Sequence, residues 1–397
     1  MKRLLYLTFY FRPDLCAGSF RNSALFDELI QQAGDDVAVT VLTTMPNRYA
    51  SFATQADPEE IIAQHRIVRL PLPKHKSGFR DQIRSFGSYA WQVQRTLGKE
   101  KFDAVFASSS RLFTAWLGGR IARKQSIPLY LDIRDIFSEN ITEILGRGPA
   151  VTILRRFLKR LEKKTFRSAR HINLVSRGFM PYFQQYTQSS RSYFTNGIDD
   201  VFLQELGQSP AQRKPGPQRI VYAGNMGEGQ GLHAIVPQAA ERLGDDFAFR
   251  MFGDGGKRVA LEEEVNKRGL RNVQVLGPID RRQLIEEYRN ADYLFLHLNN
   301  YKAFELVIPS KIFEYGATDK PILAGVAGYP AEFIEECLRN VFVFKPLDKQ
   351  SLVEFLTGDS YVIVDRGDFR EQFSRKFINQ QMVDDIKRRL CLVAAGQ

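Results

Sequence analysis

The sequence predicts an α/β protein of two domains, each built on a parallel sheet. Three observations lead there. Short apolar runs alternate with helical patterns in both halves, a proline- and glycine-rich polar stretch interrupts them near the middle, and 397 residues exceed one typical domain.

In the first half the apolar runs are Leu4 to Tyr10, Val37 to Leu42, Ile67 to Leu70, Ala104 to Ala107, Leu129 to Leu131 and His171 to Val175. The opening MKRLLYLTFYF lacks a small-residue cleavage site and ends in the polar Arg12-Pro13-Asp14 turn, so it is read as the first buried strand rather than a leader. The stretch Leu206 to Gln218, LGQSPAQRKPGPQ, reads as a linker or excursion. Alternation then resumes at Arg219 to Ala223, Phe247 to Phe252, Val273 to Leu276, Tyr293 to Leu298, Pro321 to Leu323 and Val341 to Phe344. The expected organisation is two Rossmann-like domains facing a cleft, over residues 1–200 and 201–370, with a charged helical segment at 371–397 for which a return to the first domain is one reading.

Composition bounds the function. A hydrophobic share of 44% and a charged share of 25% are ordinary globular values. Three scattered cysteines, Cys16, Cys337 and Cys391, suggest neither a disulfide framework nor a zinc site, and fit a reducing cytoplasm. No apolar run is long enough to span a bilayer. The net charge of +11 calls for an acidic partner, and much of it sits in Val151 to Arg170, VTILRRFLKRLEKKTFRSAR, where cations interleave with apolar residues as on a basic amphipathic helix. Phe79 to Phe102 interleaves Phe86, Tyr89, Trp91 and Val93 with Arg80, Arg84, Arg95, Lys99 and Lys101 in the same manner. Each segment reads either as a solvated outer face or as a surface for lipid headgroups.

The chemistry is concentrated in turns. Leu306 to Leu323, LVIPSKIFEYGATDKPIL, reads as a helix start followed by a buried strand. Pro309 suits the first turn, Ser310 and Lys311 stand where free amides favour a phosphate, and Glu314 can accept two hydrogen bonds from the vicinal hydroxyls of a ribose. An ordinary amphipathic helix with a solvated lysine and glutamate explains the same spacing. Gly224 to Gly231, with Asn225 and Gly227 inside it, follows a strand and opens a helix, and Gly253-Asp254-Gly255-Gly256 repeats the device. The spacing is not GxGxxG, which disfavours a nicotinamide cofactor. In the first half, Gly18 and Ser19 stand at a helix start with Arg21 close behind. Asp132-Ile133-Arg134-Asp135 closes a strand without a DxD pair, so no metal cluster is suggested. Each aspartate there either orients a substrate hydroxyl or caps a turn, and Arg134 is either a substrate clamp or a salt-bridge partner.

Taken in order, Ala17-Gly18-Ser19, Asp132-Ile133-Arg134-Asp135, Thr195-Asn196-Gly197-Ile198-Asp199, Tyr222-Ala223-Gly224-Asn225, Gly253-Asp254-Gly255 and Ser310 to Glu314 resemble the motif series of the retaining glycosyltransferases of family 4, which have the GT-B fold. Within that family the chain looks most like the bacterial O-antigen and capsule branch that includes fucosamine transferases. The resemblance implies transfer of an N-acetylated amino or deoxy sugar from a nucleoside diphosphate, with UDP expected, to a lipid-linked saccharide on an anionic membrane surface. It further implies a peripheral position on the cytoplasmic side of the membrane, no metal or other cofactor, and no nucleic-acid partner. By the same resemblance Asp135, Asp132 and Arg134 are expected at the reaction centre, and Gly18, Asn225, Gly227, Gly253, Ser310, Lys311 and Glu314 on the donor. Two departures stand out. The family's first glutamate falls at Leu306, with Glu305 one residue earlier, and the Arg and Lys that follow the family's glycine turn are Asn225 and Gln230 here, so Lys311, Arg258 and Lys302 become the candidate phosphate cations. A sugar-nucleotide epimerase on the same fold, a basic nucleic-acid-binding protein and a membrane scaffold with an inactive transferase fold are the competing readings.

Overall fold

The structure, a computed structural model, describes residues 1–14, 16–46, 56–73, 79–109, 112–136, 148–206, 215–358 and 362–392. Most of the expected linker, at 207–214, therefore lies outside the described residues, as do the side chains of 79–83. The chain divides into two compact units, Met1–Thr195 with Lys376–Gln397, and Asn196–Arg375.

Unit 1 starts with β1 (Lys2–Leu7), α1 (Ala17–Ala33), β2 (Val37–Thr44), β3 (Glu59–Ile62), β4 (His65–Leu70), α2 (Phe79–Leu97), β5 (Ala104–Ser109), α3 (Leu112–Gln125) and β6 (Leu129–Ile133). It continues with α4 (Pro149–Phe166), β7 (His171–Leu174), α5 (Met180–Phe183) and β8 (Ser190–Ser192). The sheet order is β3-β4-β2-β1-β5-β6-β7-β8, parallel throughout except for the β3–β4 pair. Strands β5, β6 and β7 are buried at every position, because helices cover both faces of a parallel sheet. The edge strands β3 and β8 were not among the expected strands. β3 reads EEII and alternates exposed with half-buried positions, while β8 is the polar triplet Ser190-Arg191-Ser192, so neither carries an apolar run.

Unit 2 holds α6 (Asp200–Leu206), β9 (Gln218–Asn225), α7 (Leu232–Leu243), β10 (Phe247–Asp254), α8 (Arg258–Lys267), β11 (Val273–Leu276), α9 (Arg281–Asn290) and β12 (Tyr293–His297). It ends with α10 (Lys311–Gly316), β13 (Ile322–Gly325), α11 (Tyr329–Cys337), β14 (Val341–Phe344), α12 (Lys349–Thr357) and α13 (Gly367–Gln372). Its all-parallel sheet runs β11-β10-β9-β12-β13-β14. In both units the strand order reverses beside the first strand, between β1 and β5 and between β9 and β12. The carboxyl ends of strands at such a reversal form the crevice where doubly wound sheets bind ligands.

The last helix, α14 (Arg375–Leu390), supplies Met382, Val383, Ile386 and Leu390 to the core of unit 1 beside Leu4, Tyr6, Phe106 and Tyr130. Asp385 pins it. This carboxylate is 3% exposed and accepts hydrogen bonds from Tyr130 Oη (3.1 Å), Arg388 Nη2 (2.8 Å) and Arg389 Nε (3.1 Å), with His171 Nε2 at 3.0 Å. Burial pushes its pKa up, but His171 and Arg388 outweigh burial and hold the carboxyl far below the usual range.

A group with a depressed folded pKa stabilises the fold while ionised, and that contribution fades as pH falls below its unfolded value of about 4. Asp385→Ala is accordingly expected to cost about 3 kcal/mol at pH 7 in urea unfolding, the penalty for orphaning a buried partner. The difference from wild type should shrink steadily below about pH 4. An undiminished difference at pH 3 would assign the loss to packing alone.

Candidate active site

Strand β9 ends in Gly224-Asn225, and a turn carries the chain to Gly231, where φ is +59° and α7 begins. The turn is knitted from inside. Asn225 Nδ2 donates to Gln230 Oε1 (2.6 Å), Gly227 N donates to the same oxygen (3.2 Å), Tyr222 Oη donates to the Asn225 carbonyl (2.6 Å), and Met226 N bonds the Asp254 carbonyl (2.8 Å). Asn225, which the family resemblance places on the donor, is thus also tied into the turn through its Nδ2.

Gly253 also has a different reason for being glycine. Its φ is +140°, and a Cβ there would stand 1.8 Å from the carbonyl oxygen of Gly224, its register partner on β9. Close strand packing demands glycine at this position whether or not a ligand is present.

His297, at the end of β12, fixes the turn from the other side. Its Nδ1 lies 2.6 Å from the Gln230 carbonyl and its Nε2 accepts from Leu347 N at 2.9 Å, which is the neutral tautomer protonated on Nδ1. Burial lowers its pKa to about 4. The unfolded chain takes up this proton near pH 6.5 and the folded chain only near pH 4, so stability falls through that interval on acidification. Wild type should lose about 3 kcal/mol there from this group alone, and His297→Gln should flatten the pH 6.5 to 4 limb in chemical unfolding.

Helix α10 presents Ile312, Phe313, Tyr315 and Gly316 to the interior and leaves Lys311 and Glu314 on the opposite face, 20% and 22% exposed. Lys311 Nζ stands 2.8 Å from Glu314 Oε2, and Tyr288 Oη donates to the same oxygen at 3.1 Å. The Lys311 Cε lies 3.5 Å from where a Gly224 Cβ would be. The structure thus brings Lys311 and Glu314 together with the glycine turn at the carboxyl end of β9, while Glu314 Oε1 has no partner among the described residues. Two features of this helix start differ from the expectation. The helix has six residues, and the amides of Ile312 and Phe313 already bond the carbonyls of Pro309 (3.1 Å) and Ser310 (3.2 Å), which leaves fewer donors for a phosphate.

Tyr288 was missed. It lies on α9 in the charged run Arg281–Asn290 and meets Glu314 only through folding across 26 residues, so no local pattern marks it. Burial and then the neighbouring Glu314 charge push its hydroxyl well above the ordinary value, which keeps it a donor. Among the other candidate cations, Arg258 pairs with Glu262 on its own helix at 2.9 Å, and Lys302 is exposed. Glu305 is exposed too, with its Cβ packed toward Gly328.

In unit 1, Arg21 on α1 forks onto Asp132 at the end of β6, Nε to Oδ2 at 3.0 Å and Nη2 to Oδ1 at 2.9 Å. Ser108 Oγ (3.1 Å) and Asn173 Nδ2 (2.8 Å) complete the carboxylate. Burial opposes the charge on Asp132, yet Arg21 holds its carboxyl below the usual value. Fully buried and saturated, Asp132 has no oxygen to offer a substrate, which corrects its expected place at the reaction centre. Asp135 is exposed. The Arg134 Nη1 lies 2.5 Å from the position a Gly18 Cβ would take, so these two expected residues do meet, at the start of α1.

Residues 28–191 match the family described as the Glycosyl transferase 4-like domain, and residues 207–358 match Glycosyl transferases group 1. The chain is a glycosyltransferase with the GT-B fold, its 4-like domain followed by a group 1 domain. Over 94 residues this glycosyltransferase is 35% identical to WcaI of Escherichia coli (strain K12), named as a colanic acid biosynthesis glycosyl transferase, a match spanning 23% of each chain. It is 23% identical over 286 residues to the 2-deoxystreptamine N-acetyl-D-glucosaminyltransferase of Niallia circulans, covering 67% of this chain and 70% of that one. The structure of Anabaena Alr3699/HepE in complex with UDP and glucose superposes with a TM-score of 0.67 at 16% identity, over 98% of this chain and 100% of that one, which speaks for the fold.

Proposed function

We propose that this glycosyltransferase moves a sugar, of the N-acetylated amino or deoxy class, from a UDP-linked donor to a lipid-linked saccharide with retention at the anomeric carbon, in the synthesis of a bacterial surface polysaccharide. The observation that carries the reading is the cluster of Lys311, Glu314 and Tyr288 beside the Gly224 turn. Glu314 Oε1 receives a ribose hydroxyl, Lys311 swings from Glu314 to the diphosphate, and Tyr288 keeps Glu314 in place as the lysine leaves. Cleavage of the sugar–phosphate bond builds negative charge on the departing diphosphate, so Lys311 stabilises the transition state more than the ground state. No metal enters this scheme. The names of the relatives support the reading: colanic acid biosynthesis for WcaI, N-acetyl-D-glucosaminyl transfer for the Niallia enzyme, and bound UDP for HepE.

Calorimetry against UDP and GDP tests the donor site. UDP is expected to bind more tightly than GDP, and Glu314→Gln to weaken UDP by about ten-fold or more through the lost ribose bond. Equal UDP affinity in wild type and variant would remove Glu314 from the site.

The membrane part of the reading draws on α4. Leu158, Glu162, Thr165 and Phe166 turn inward, while Ile153 and Phe157 stay 67% and 56% exposed among the exposed cations Arg156, Lys159, Arg160, Lys163 and Lys164. On α2, Trp91 is 60% exposed with the Arg95 guanidinium 5.5 Å from its ring centroid. Such a mixture of apolar tips and cations suits the headgroup region of an anionic leaflet and supports a peripheral position on the cytoplasmic face of the membrane. Among the described residues no helix is long and apolar enough to cross a membrane. Reversing Arg156 and Arg160 to Glu should lower binding to phosphatidylserine vesicles by about ten-fold or more at low salt and leave UDP affinity intact. Unchanged sedimentation with vesicles would rule out this face.

A further inference from the structure

The amino edge of the unit 1 sheet holds a cationic cavity that the sugar-transfer reading does not use. Helices α2 and α3 both end there, α2 at Leu97 and α3 at Gln125, and Gly98 at φ +50° lets the chain turn away toward β5. Between the two helix ends lies a cavity of about 340 Å³, within the size range of small-ligand pockets. Leu97 and Ile121, both buried, are its apolar part. One wall is fastened: Gln125 Oε1 accepts from Phe102 N at 2.9 Å, and Gln125 Nε2 donates to the Glu100 carbonyl at 2.9 Å, which ties the loop before β5 to the end of α3.

Lys99, Lys101, Arg120 and Lys124 line this cavity, all four exposed, and none has an ion-pair partner among the described residues. Arg120 rests over the Trp116 ring at 5.8 Å. The acids nearby are committed to other cations. Glu100, the one carboxylate in the lining, accepts from Arg3 at 2.8 Å and from Arg66 at 3.5 Å, while Asp103 accepts from Arg3 N at 2.8 Å and Lys2 at 3.3 Å. Helix α3 contains no acidic residue, and Asp81, the one acid of α2, stands at the opposite end of that helix. Helix C-termini attract cations, but two macrodipoles bring about one negative charge between them, and Arg95 and Arg123, outside the lining, also occupy the last turns. Like charges gathered around one cavity repel. A ligand with several anionic oxygens relieves that repulsion by contacting more than one of them.

We propose that unit 1 carries an anion site at the amino edge of its sheet, formed by Lys99, Lys101, Arg120 and Lys124, which takes a phosphate-bearing group. Strand β5 separates it by about 17 Å from the carboxyl edge where the ligand crevice lies, so the site stands whether or not the sugar-transfer reading holds. Two sources offer this chemistry. Gln94 and Gly98 follow Trp91 by three and seven residues, so the lining continues along the α2 face that carries this exposed indole, which suits the phosphate of an anionic lipid. A soluble phosphate compound presents the same group without the lipid.

Inorganic pyrophosphate is the probe, titrated by calorimetry into the full-length protein at saturating UDP, which occupies the unit 2 cluster. Wild type is expected to bind it with an affinity that falls as salt rises. The triple variant Lys99→Gln, Lys101→Gln, Lys124→Gln should weaken it about ten-fold or more, with melting temperature and UDP affinity unchanged, because the three side chains are exposed. A control for net charge, Lys267→Gln, Arg271→Gln, Arg282→Gln in unit 2, should bind pyrophosphate as wild type does. Should UDP not bind, the same titration without it still compares the two variants, since both keep Lys311, and the donor reading then fails separately from this site. Sedimentation with phosphatidylglycerol vesicles distinguishes the sources: weaker sedimentation of the cavity variant assigns a lipid headgroup, and sedimentation equal to wild type assigns a soluble phosphate compound. Absence of pyrophosphate binding in wild type, unchanged affinity in the cavity variant, or an equal loss in the control would each overturn the proposal.

Discussion

Unit 1 is organised by the Arg21–Asp132 pair. The arginine leaves α1 and gathers the carboxylate at the end of β6, the carbonyls of Thr195 (2.6 Å) and Phe194 (2.8 Å), and the sulfur of Met382 on α14. One fully buried side chain thereby fixes a helix, a strand end, the exit from the unit and the returning C-terminal helix. A lysine in its place would present one point charge and lack the fork that reaches four partners. The pair is costly to desolvate, and its value lies in alignment more than in net stability.

Unit 2 uses the same device for another purpose. Arg366 is buried and donates to the carbonyls of Thr318 (2.7 Å), Lys320 (2.8 Å), Arg339 (3.0 Å) and Asn340 (2.9 Å), tying together the segments that flank β13. Burial lowers its pKa to about 10, still far above neutrality, so it remains a cation, and all three of its nitrogens donate to backbone. Arg21 and Arg366 show what this protein does with a guanidinium that serves the fold. Arg134 differs from both in having unspent donors, and it stands at the carboxyl edge of the sheet, whereas the two structural arginines are spent on main chain and on Asp132.

Much of this was legible in the sequence, and the parts that were not share a cause. Buried parallel strands announce themselves as apolar runs, so the interior strands of both sheets were expected where they occur. β3 and β8, with one face open and polar residues in sequence, gave no such signal. Lys311 and Glu314 were legible because their spacing puts them on one face of a helix start, which is local geometry. Tyr288, the saturation of Asp132 and the enclosed turn side chain of Asn225 depend on residues that are distant in sequence or on which direction a side chain takes. Gly253 is ambiguous in principle: approach to a phosphate and approach to Gly224 demand the same missing Cβ, and only the strand register distinguishes them.

The way the charges of the unit 2 cluster are held bears on how a substrate would be received. Lys311 is one-fifth exposed and its hydrogen-bond partners among the described residues are Glu314 and Tyr288, so a diphosphate could take it over at the cost of a partly solvated ion pair worth about 1 kcal/mol or less. Tyr288, whose hydroxyl stays protonated, would keep Glu314 in position while that exchange occurs. A flexible cation that changes partners suits a group whose charge grows during the reaction.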